Sequence, residues 1–196
     1  MKLRFAHVAA LLVLGTAASA QAQSNPRGSA TTAVDGKKVA IDYGRPALKG
    51  RTLEELTAKL PADRIWRAGE NQVTTLTTEG PITIGGKAIP AGKYSLYVPV
   101  GKDGNYSLAI NRDLGVALKT IFPAAPPALA DEPWPHLEDY NKNIGKTEVA
   151  RVALTAGKNA APVDPFTISL TPKGNGATLT LAWGDKSFST EVMPGK

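Results

Sequence analysis

The stretch PAGKYSLYV, residues 90–98, decides the fold class of this chain. A Pro-Ala-Gly turn leads into a segment in which Tyr94, Leu96 and Val98 alternate with the other three residues. Because successive side chains of an extended strand point to opposite faces, this alternation predicts a half-buried β-strand.

Similar short segments, separated by glycine turns, make up most of the remaining sequence. Asp35-Gly36 lies between two of them and suits the positive φ angles of a two-residue hairpin turn. Several short strands at this spacing predict an all-β single domain, built as an antiparallel sandwich or a partly open barrel. The predicted strands are 31–34, 38–43, 73–78, 82–84, 88–89, 93–98, 106–110, 148–154, 166–170, 178–183 and 187–192.

One segment departs from the β pattern. Thr52 and Glu55 form a capping box, in which the hydroxyl and the carboxylate each accept a hydrogen bond from the other residue's backbone. Three leucines then recur at helical spacing before Pro61, namely Leu53, Leu56 and Leu60. We expect one short helix, from residue 53 to about 59, packed on the sheet through its leucines.

The stretch from Ile121 to His136 is rich in proline and alanine. Its apolar residues do not alternate as they would in a strand, and its pattern is too interrupted for a helix. It is expected to be a long loop, and loops of this length in compact domains are often functional or mobile.

The first twenty residues have the features of a secretory signal peptide. Lys2 and Arg4 precede a short apolar run, and Ala18-Ser19-Ala20 matches a cleavage site. The run is half the length of the roughly twenty apolar residues that a membrane-spanning helix needs. We therefore expect cleavage after Ala20 and no stable membrane insertion of the mature protein.

The expected organisation is a signal peptide at residues 1–20, a flexible segment at 21–30 and a single β-rich domain at 31–196. The expected location is the periplasm or the extracellular space. The 196 residues include no cysteine, which excludes disulfides, catalytic thiols and zinc-thiolate sites. Of the two histidines only His136 follows the leader, so the mature protein has a single histidine from which a Ser-His-Asp triad could be built.

The formal charge of +6 is spread along the chain, without a run of five like charges. Nucleic-acid binding would favour a basic stripe with interleaved aromatic residues, and it is not expected here. The glycine-rich nucleotide loops and the Gly-x-Ser-x-Gly motif are absent from the sequence. We expect no cofactor and no metal.

Eight motifs follow one another along the chain: YGRP at 43–46, KGR at 49–51, IWRAGEN at 65–71, TIGG at 83–86, IPAGKYSL at 89–96, VARV at 149–152, FTIS at 166–169 and TLTLAWG at 178–184. In this order they resemble the bacterial family known as domain of unknown function 2911, over about residues 25–193. The resemblance implies an exported, β-rich single domain and brings no established activity. Glu70 and Gln72 depart from the family pattern, which often has an acid in place of Gln72.

Loop residues around the predicted helix are the main candidates for a ligand site. Planar guanidinium groups bind a carboxylate, a phosphate or a sulfated sugar through two parallel hydrogen bonds. The alternative is structural: the arginines pair with Asp42, Asp63 or Glu70, and Trp66 plugs the core rather than stacking on a sugar. The candidate set is Arg45, Arg51, Trp66, Arg67, Glu70 and Asn71.

The acidic residues suggest two further alternatives. His136 is surrounded by acids that could bind a metal, although a solvated loop is the favoured interpretation: Asp131, Glu132, Glu138 and Asp139. A glycosidase needs two carboxyl groups about 5 to 9.5 Å apart across a cleft. The candidates for such a pair are Glu54, Glu55, Glu70 and Glu79.

These observations favour a noncatalytic ligand-binding or protein-interaction module of the cell envelope. Its partner would be an anionic or glycan ligand, or an envelope protein docked along an exposed strand. The alternative is a carboxylate-dependent carbohydrate-active or cell-wall enzyme, so enzymatic activity stays open, and no residue is assigned a catalytic role.

Overall fold

A computed structural model describes residues 27–138 and 140–196. In chain order the elements are β1 (Arg27–Val34), β2 (Lys37–Gly44), α1 (Leu53–Ala58), β3 (Ile65–Trp66), β4 (Thr75–Thr78), β5 (Ile82–Ile84), β6 (Lys87–Ile89), β7 (Gly92–Pro99), β8 (Ser107–Asn111), β9 (Val116–Ala117), α2 (Leu118–Ile121), β10 (Pro133–Trp134), a 3-10 turn (Ile144–Thr147), β11 (Glu148–Ala153), β12 (Thr155–Lys173) and β13 (Gly176–Pro194).

The described strands form two antiparallel sheets and a small ribbon. The first sheet has the order β1-β2-β4-β7-β8-β11, with β3 added beside β7, and the second has the order β12-β13-β5-β6. The ribbon is the pair β9 and β10. The predicted all-β fold is confirmed; the described residues form a sandwich and not a closed barrel.

The first hairpin joins β1 to β2 through the predicted two-residue turn. Asp35 and Gly36 have φ angles of 49° and 72°, the left-handed conformation that such turns require. β1 begins earlier than predicted, because Arg27 already pairs with Gly44. Residues 27–30, which the sequence assigns to a flexible segment, are therefore part of the sheet.

Strand β7 lies inside the first sheet and is buried on both faces. Leu96 and Val98 face the core between the sheets, as their alternation predicts. The prediction of a half-buried strand is wrong, because Tyr97 on the other face is also fully buried. Tyr140 and Ile144, from the connection between β8 and β11, cover that face and form an outer cluster with it.

Helix α1 matches the prediction closely. The Thr52 amide donates to Glu55 Oε2 at 2.8 Å, and the Glu55 amide donates to Thr52 Oγ1 at 3.1 Å. Leu53 is buried, while Leu56 and Leu60 pack against the core with part of their surface exposed. The capping box therefore positions the helix over the inter-sheet core.

The last two strands are longer than predicted, at 19 residues each. The two predicted strands at 178–183 and 187–192 are one strand, β13, which continues through Gly184 at a φ of 60°. The pairing with β12 shifts register between Lys158 and Thr167. A glycine that reads as a turn in the sequence is here an irregularity within a strand.

The predicted loop at 121–136 contains a short element. Pro133–Trp134 forms β10 and pairs with β9, while turns make up most of the stretch. The predicted signal peptide lies outside the described residues, and among those residues no helix is long and apolar enough to cross a membrane.

Candidate functional site

Strand β3 sends its two side chains in opposite directions. Ile65 enters the outer cluster with Tyr97, whereas Trp66 packs against the inter-sheet core. The Trp66 ring stacks on Trp183 with the ring centroids 5.4 Å apart, and its Nε1 donates to the Gly69 carbonyl at 3.3 Å. Of the two roles considered for Trp66, these contacts favour core packing over stacking on a sugar.

Arg67, the residue after β3, lines a surface depression that we call the Arg67 groove. Its cavity volume is about 410 Å³, and it is lined by Arg67, Leu118, Ile121, Phe122, Pro126, Leu129, Trp134 and Pro135. Ile121 and Phe122 are large apolar side chains that remain 39% and 50% exposed. The groove thus combines one cation with walls that are apolar or aromatic.

The Arg67 guanidinium is partly desolvated. Burial lowers the pKa of Arg67, and attraction to Glu70 acts in the opposite direction. The net direction is a lowered pKa, so attraction to Glu70 only partly offsets the cost of burying the guanidinium. Since arginine stays protonated in proteins, the groove carries a positive charge that is only partly compensated.

Two polar atoms near this groove are buried without a hydrogen bond of ordinary geometry among the described residues. They are the Tyr97 hydroxyl and Trp134 Nε1. Burial raises the pKa of Tyr97 to about 12, and the Ser95 hydroxyl and the charge of Arg67 act in the opposite direction. Both atoms are shielded from solvent, so a ligand in the groove would contact Arg67 rather than these donors.

Arg45 and Arg51 do not line this groove. Arg45 donates from Nε to the Phe166 carbonyl and from Nη2 to Thr167 Oγ1, both at 3.3 Å. Arg51 Nε donates to the Leu48 carbonyl at 2.9 Å. Arg45 therefore ties the segment after β2 to β12, and Arg51 closes its own turn.

Glu70 and Asn71 lie in the loop after β3. The Glu70 backbone passes so close to Gly44 that a Cβ on Gly44 would collide with it. Asn71 has a φ of 60°, a conformation that asparagine tolerates better than most residues. Of this pair, Glu70 is the one that acts electrostatically on Arg67.

Two of the three acids considered as partners for the arginines, Asp42 and Asp63, are engaged elsewhere. Asp42 forms an ion pair with Arg27, and Gln72 Oε1 accepts a hydrogen bond from the same guanidinium at 3.4 Å. Asp63 Oδ2 accepts from the Asn141 amide at 3.1 Å. Among the residues described, neither carboxylate pairs with a candidate arginine.

No group of three or more His, Asp or Glu side chains converges within the described ranges. His136 Nε2 lies 3.9 Å from Glu138 Oε2, and Lys119 Nζ lies 2.5 Å from Asp131 Oδ1. Asp139, the remaining acid of that alternative, lies outside the described residues.

The glutamates considered for hydrolysis serve different contacts. Glu55 completes the helix cap, and Glu54 Oε1 lies 3.5 Å from Lys186 Nζ. Glu79 Oε2 accepts from the Lys38 amide at 3.1 Å, at the start of β2. None of these contacts indicates a catalytic carboxylate.

Sequence reasoning singles out Arg67 and misses the apolar walls of its groove. These walls come from residues 118–135, which the sequence assigns largely to a loop. The available signal is Ile121-Phe122, two large apolar residues next to a proline-rich stretch. A fully solvated loop would be more polar there.

The chain matches the family model described as "Protein of unknown function (DUF2911)" over residues 25–192. That range contains every candidate site residue and the whole Arg67 groove, and it agrees with the resemblance found in the sequence. No curated protein and no solved structure shows significant similarity to the chain. Function therefore has to be argued from the groove itself.

Proposed function

We propose that this chain, which belongs to the DUF2911 family of proteins of unknown function, is an exported, noncatalytic binding module of the cell envelope. Its ligand is an amphipathic anion: a carboxylate or similar group bound by Arg67, joined to an apolar portion that lies along the groove. The observation that carries this proposal is the partly desolvated Arg67 guanidinium among apolar walls.

Removing a guanidinium from water has an energetic cost, which a paired anion offsets. Glu70 attracts the Arg67 guanidinium, yet burial still lowers its pKa, so the desolvation cost is only partly offset within the described residues. A ligand carboxylate would accept two of these donors at once and would gain about 1.5 to 3 kcal/mol per charge-assisted hydrogen bond.

The walls support an apolar portion in the same ligand. Phe122 and Ile121 are half-exposed at the groove, and covering them would remove apolar surface from water at about 25 cal/mol per Å². A simple inorganic anion would leave that apolar surface exposed to water. Export to the envelope, expected from the leader sequence, supports contact with ligands outside the cytoplasm.

The test measures binding of decanoate to the mature protein by isothermal titration calorimetry. Decanol has the same tail without the charge, and acetate has the charge without the tail. We expect decanoate to bind more tightly than either one. Arg67→Gln should weaken decanoate binding by about tenfold or more and leave decanol binding unchanged.

Arg51→Gln is the matched control, since it removes the same charge from a turn outside the groove. Equal loss of binding in both variants would mean that net charge, and not the groove, attracts the ligand. Decanoate binding that survives Arg67→Gln intact would overturn the proposal.

A further inference from the structure

A second cleft, separate from the Arg67 groove, lies at the other end of the β3 segment. Its cavity volume is about 470 Å³. The lining side chains that matter here are Glu54, Arg64, Lys102, Tyr106, Lys186 and Phe188. We call it the Arg64 cleft.

The cleft carries a net positive charge. Arg64, Lys102 and Lys186 contribute three positive charges and Glu54 one negative charge, which gives +3 − 1 = +2 for its lining. Lys186 is already paired, with Glu54 at 3.5 Å and with the neighbouring Asp185 at 3.6 Å. Attraction for an anion therefore rests on the other two cations.

Arg64 is held so that its terminal nitrogens remain available. Its Nε donates to the Val100 carbonyl at 3.0 Å, and its own carbonyl accepts from the Val100 amide at 2.9 Å. In the described part of the chain Nη1 and Nη2 have no hydrogen-bond partner. The fixed Nε orients a two-nitrogen fork of the kind that binds a carboxylate.

The cleft also presents an aromatic surface. Tyr106 lines it and stacks on Phe188 with ring centroids 4.0 Å apart and an interplanar angle of 30°. Phe188 is buried, lines the same cleft and holds the Tyr106 ring through this stacking contact. An aromatic face carries partial negative charge, which attracts the polarised C–H groups of a sugar ring.

We propose that the Arg64 cleft is a second ligand site, one that binds acidic carbohydrate. A hexuronate carboxylate pairs with Arg64 and Lys102, and a sugar ring of the same chain lies on Tyr106. The cleft contrasts with the Arg67 groove in its chemistry, because three cations and one carboxylate line it beside its apolar surface, whereas the groove has a single cation. The two sites would therefore take different ligands.

The probe is trigalacturonate, titrated into the mature protein and compared with maltotriose, a neutral trisaccharide. We expect binding of the acidic sugar alone, weakening as salt is added because Lys102 is exposed and Arg64 is partly exposed. Arg64→Gln should weaken binding by about tenfold or more, and Lys102→Gln by about two- to fivefold. Lys102 has no partner among the described residues, so its variant should fold normally.

Lys87→Gln removes the same charge from β6, outside the cleft, and should leave binding unchanged. Tyr106→Leu should remove the preference for trigalacturonate over inorganic sulfate. Equal binding of maltotriose, equal losses in Lys87→Gln, or full competition by sulfate would overturn the proposal. Loss of trigalacturonate binding in Arg67→Gln would also overturn it, because the sugar would then occupy the other groove.

Discussion

Replacing Tyr97 with phenylalanine should stabilise the protein, whereas the same change at Tyr140 should destabilise it. Both side chains are fully buried, and their rings meet edge to face with centroids 5.1 Å apart. The Tyr97 hydroxyl makes no hydrogen bond of ordinary geometry among the described residues, and only the Ser95 hydroxyl interacts with it as a hydrogen-bonding side chain. The Tyr140 hydroxyl donates to Glu148 Oε2 at 3.2 Å and accepts from Asn111 Nδ2 at 3.5 Å.

The magnitudes follow from these contacts. A buried polar group without a partner costs about 1 to 3 kcal/mol, so removing the Tyr97 hydroxyl should raise the free energy of unfolding by about 1 kcal/mol. Tyr140→Phe should lower it by about 1 kcal/mol, because Glu148 keeps its pair with Arg151 and Asn111 keeps its bond to the Ile144 carbonyl. In a domain of this size each kcal/mol shifts the melting temperature by about 2 to 4 °C.

Alkaline pH adds a second test of the same group. Burial raises the pKa of Tyr97 to about 12 from an ordinary value of 10.0. Because the folded pKa is the higher one, the unfolded chain loses its proton first. The stability due to Tyr97 is complete below pH 10 and is lost as the pH rises through about 12, by about 3 kcal/mol in all. Tyr97→Phe should remove this share of the alkaline loss.

Urea unfolding followed by circular dichroism, at neutral pH and near pH 11, measures both effects. The two variants should move in opposite directions at neutral pH. A loss of about 1 kcal/mol or more in Tyr97→Phe would mean that its hydroxyl has a partner. The account of buried, unpaired donors beside the Arg67 groove would then be wrong.

Further outcomes are expected at five positions. Gly44→Ala should lower the melting temperature sharply, because its Cβ would collide with the backbone of the loop after β3; an unchanged melt would show that the loop can shift. Leu56→Asp should cost several kcal/mol by placing a charge against the core, and an unchanged melt would mean that the helix is detached. Arg45→Ala should lower the melting temperature through its lost bonds to β12, while Arg67→Ala should leave it nearly unchanged; equal losses would make Arg67 structural. The intact mass of exported protein should correspond to a chain that begins near Gln21, and a mass that retains the leader would exclude cleavage.

The features that could be read from the sequence are local ones. The capping box at Thr52 and the Asp35-Gly36 turn each depend on residues within one turn of chain, so their signals do not require the rest of the fold. The alternation at Tyr94, Leu96 and Val98 identified the face of β7 that packs in the inter-sheet core. These signals suffice for an all-β sandwich with a short capped helix.

The features that could not be read depend on distant segments. The second face of β7 is buried because Tyr140 and Ile144 return across it, and no period in the sequence marks that return. The length of β13 was hidden because Gly184 reads as a turn when it is seen alone. Burial on both faces and strand continuity are both set by pairing partners far along the chain.

The roles of the candidate arginines also depend on segments far along the chain. Arg45 and Arg67 occur in similar loop contexts, yet the carbonyl that binds Arg45 belongs to Phe166, 121 residues away. The residues that leave Arg67 in an apolar groove come from α2 and from the proline-rich stretch after it. Sequence reasoning can therefore propose the set but cannot tell a structural arginine from an available one.

The loops flanking β3 explain how two arginines three residues apart come to line different depressions. Arg64, Ala68 and Asn71 have φ angles of 50°, 51° and 60°, in the left-handed region. For residues other than glycine this conformation costs about 1 to 2 kcal/mol each, least for asparagine. Such backbone persists only where surrounding contacts hold it, as the paired backbone of β7 does here. The strand is limited to two residues by these turns, so Arg64 and Arg67 leave it at opposite ends, each toward its own cleft.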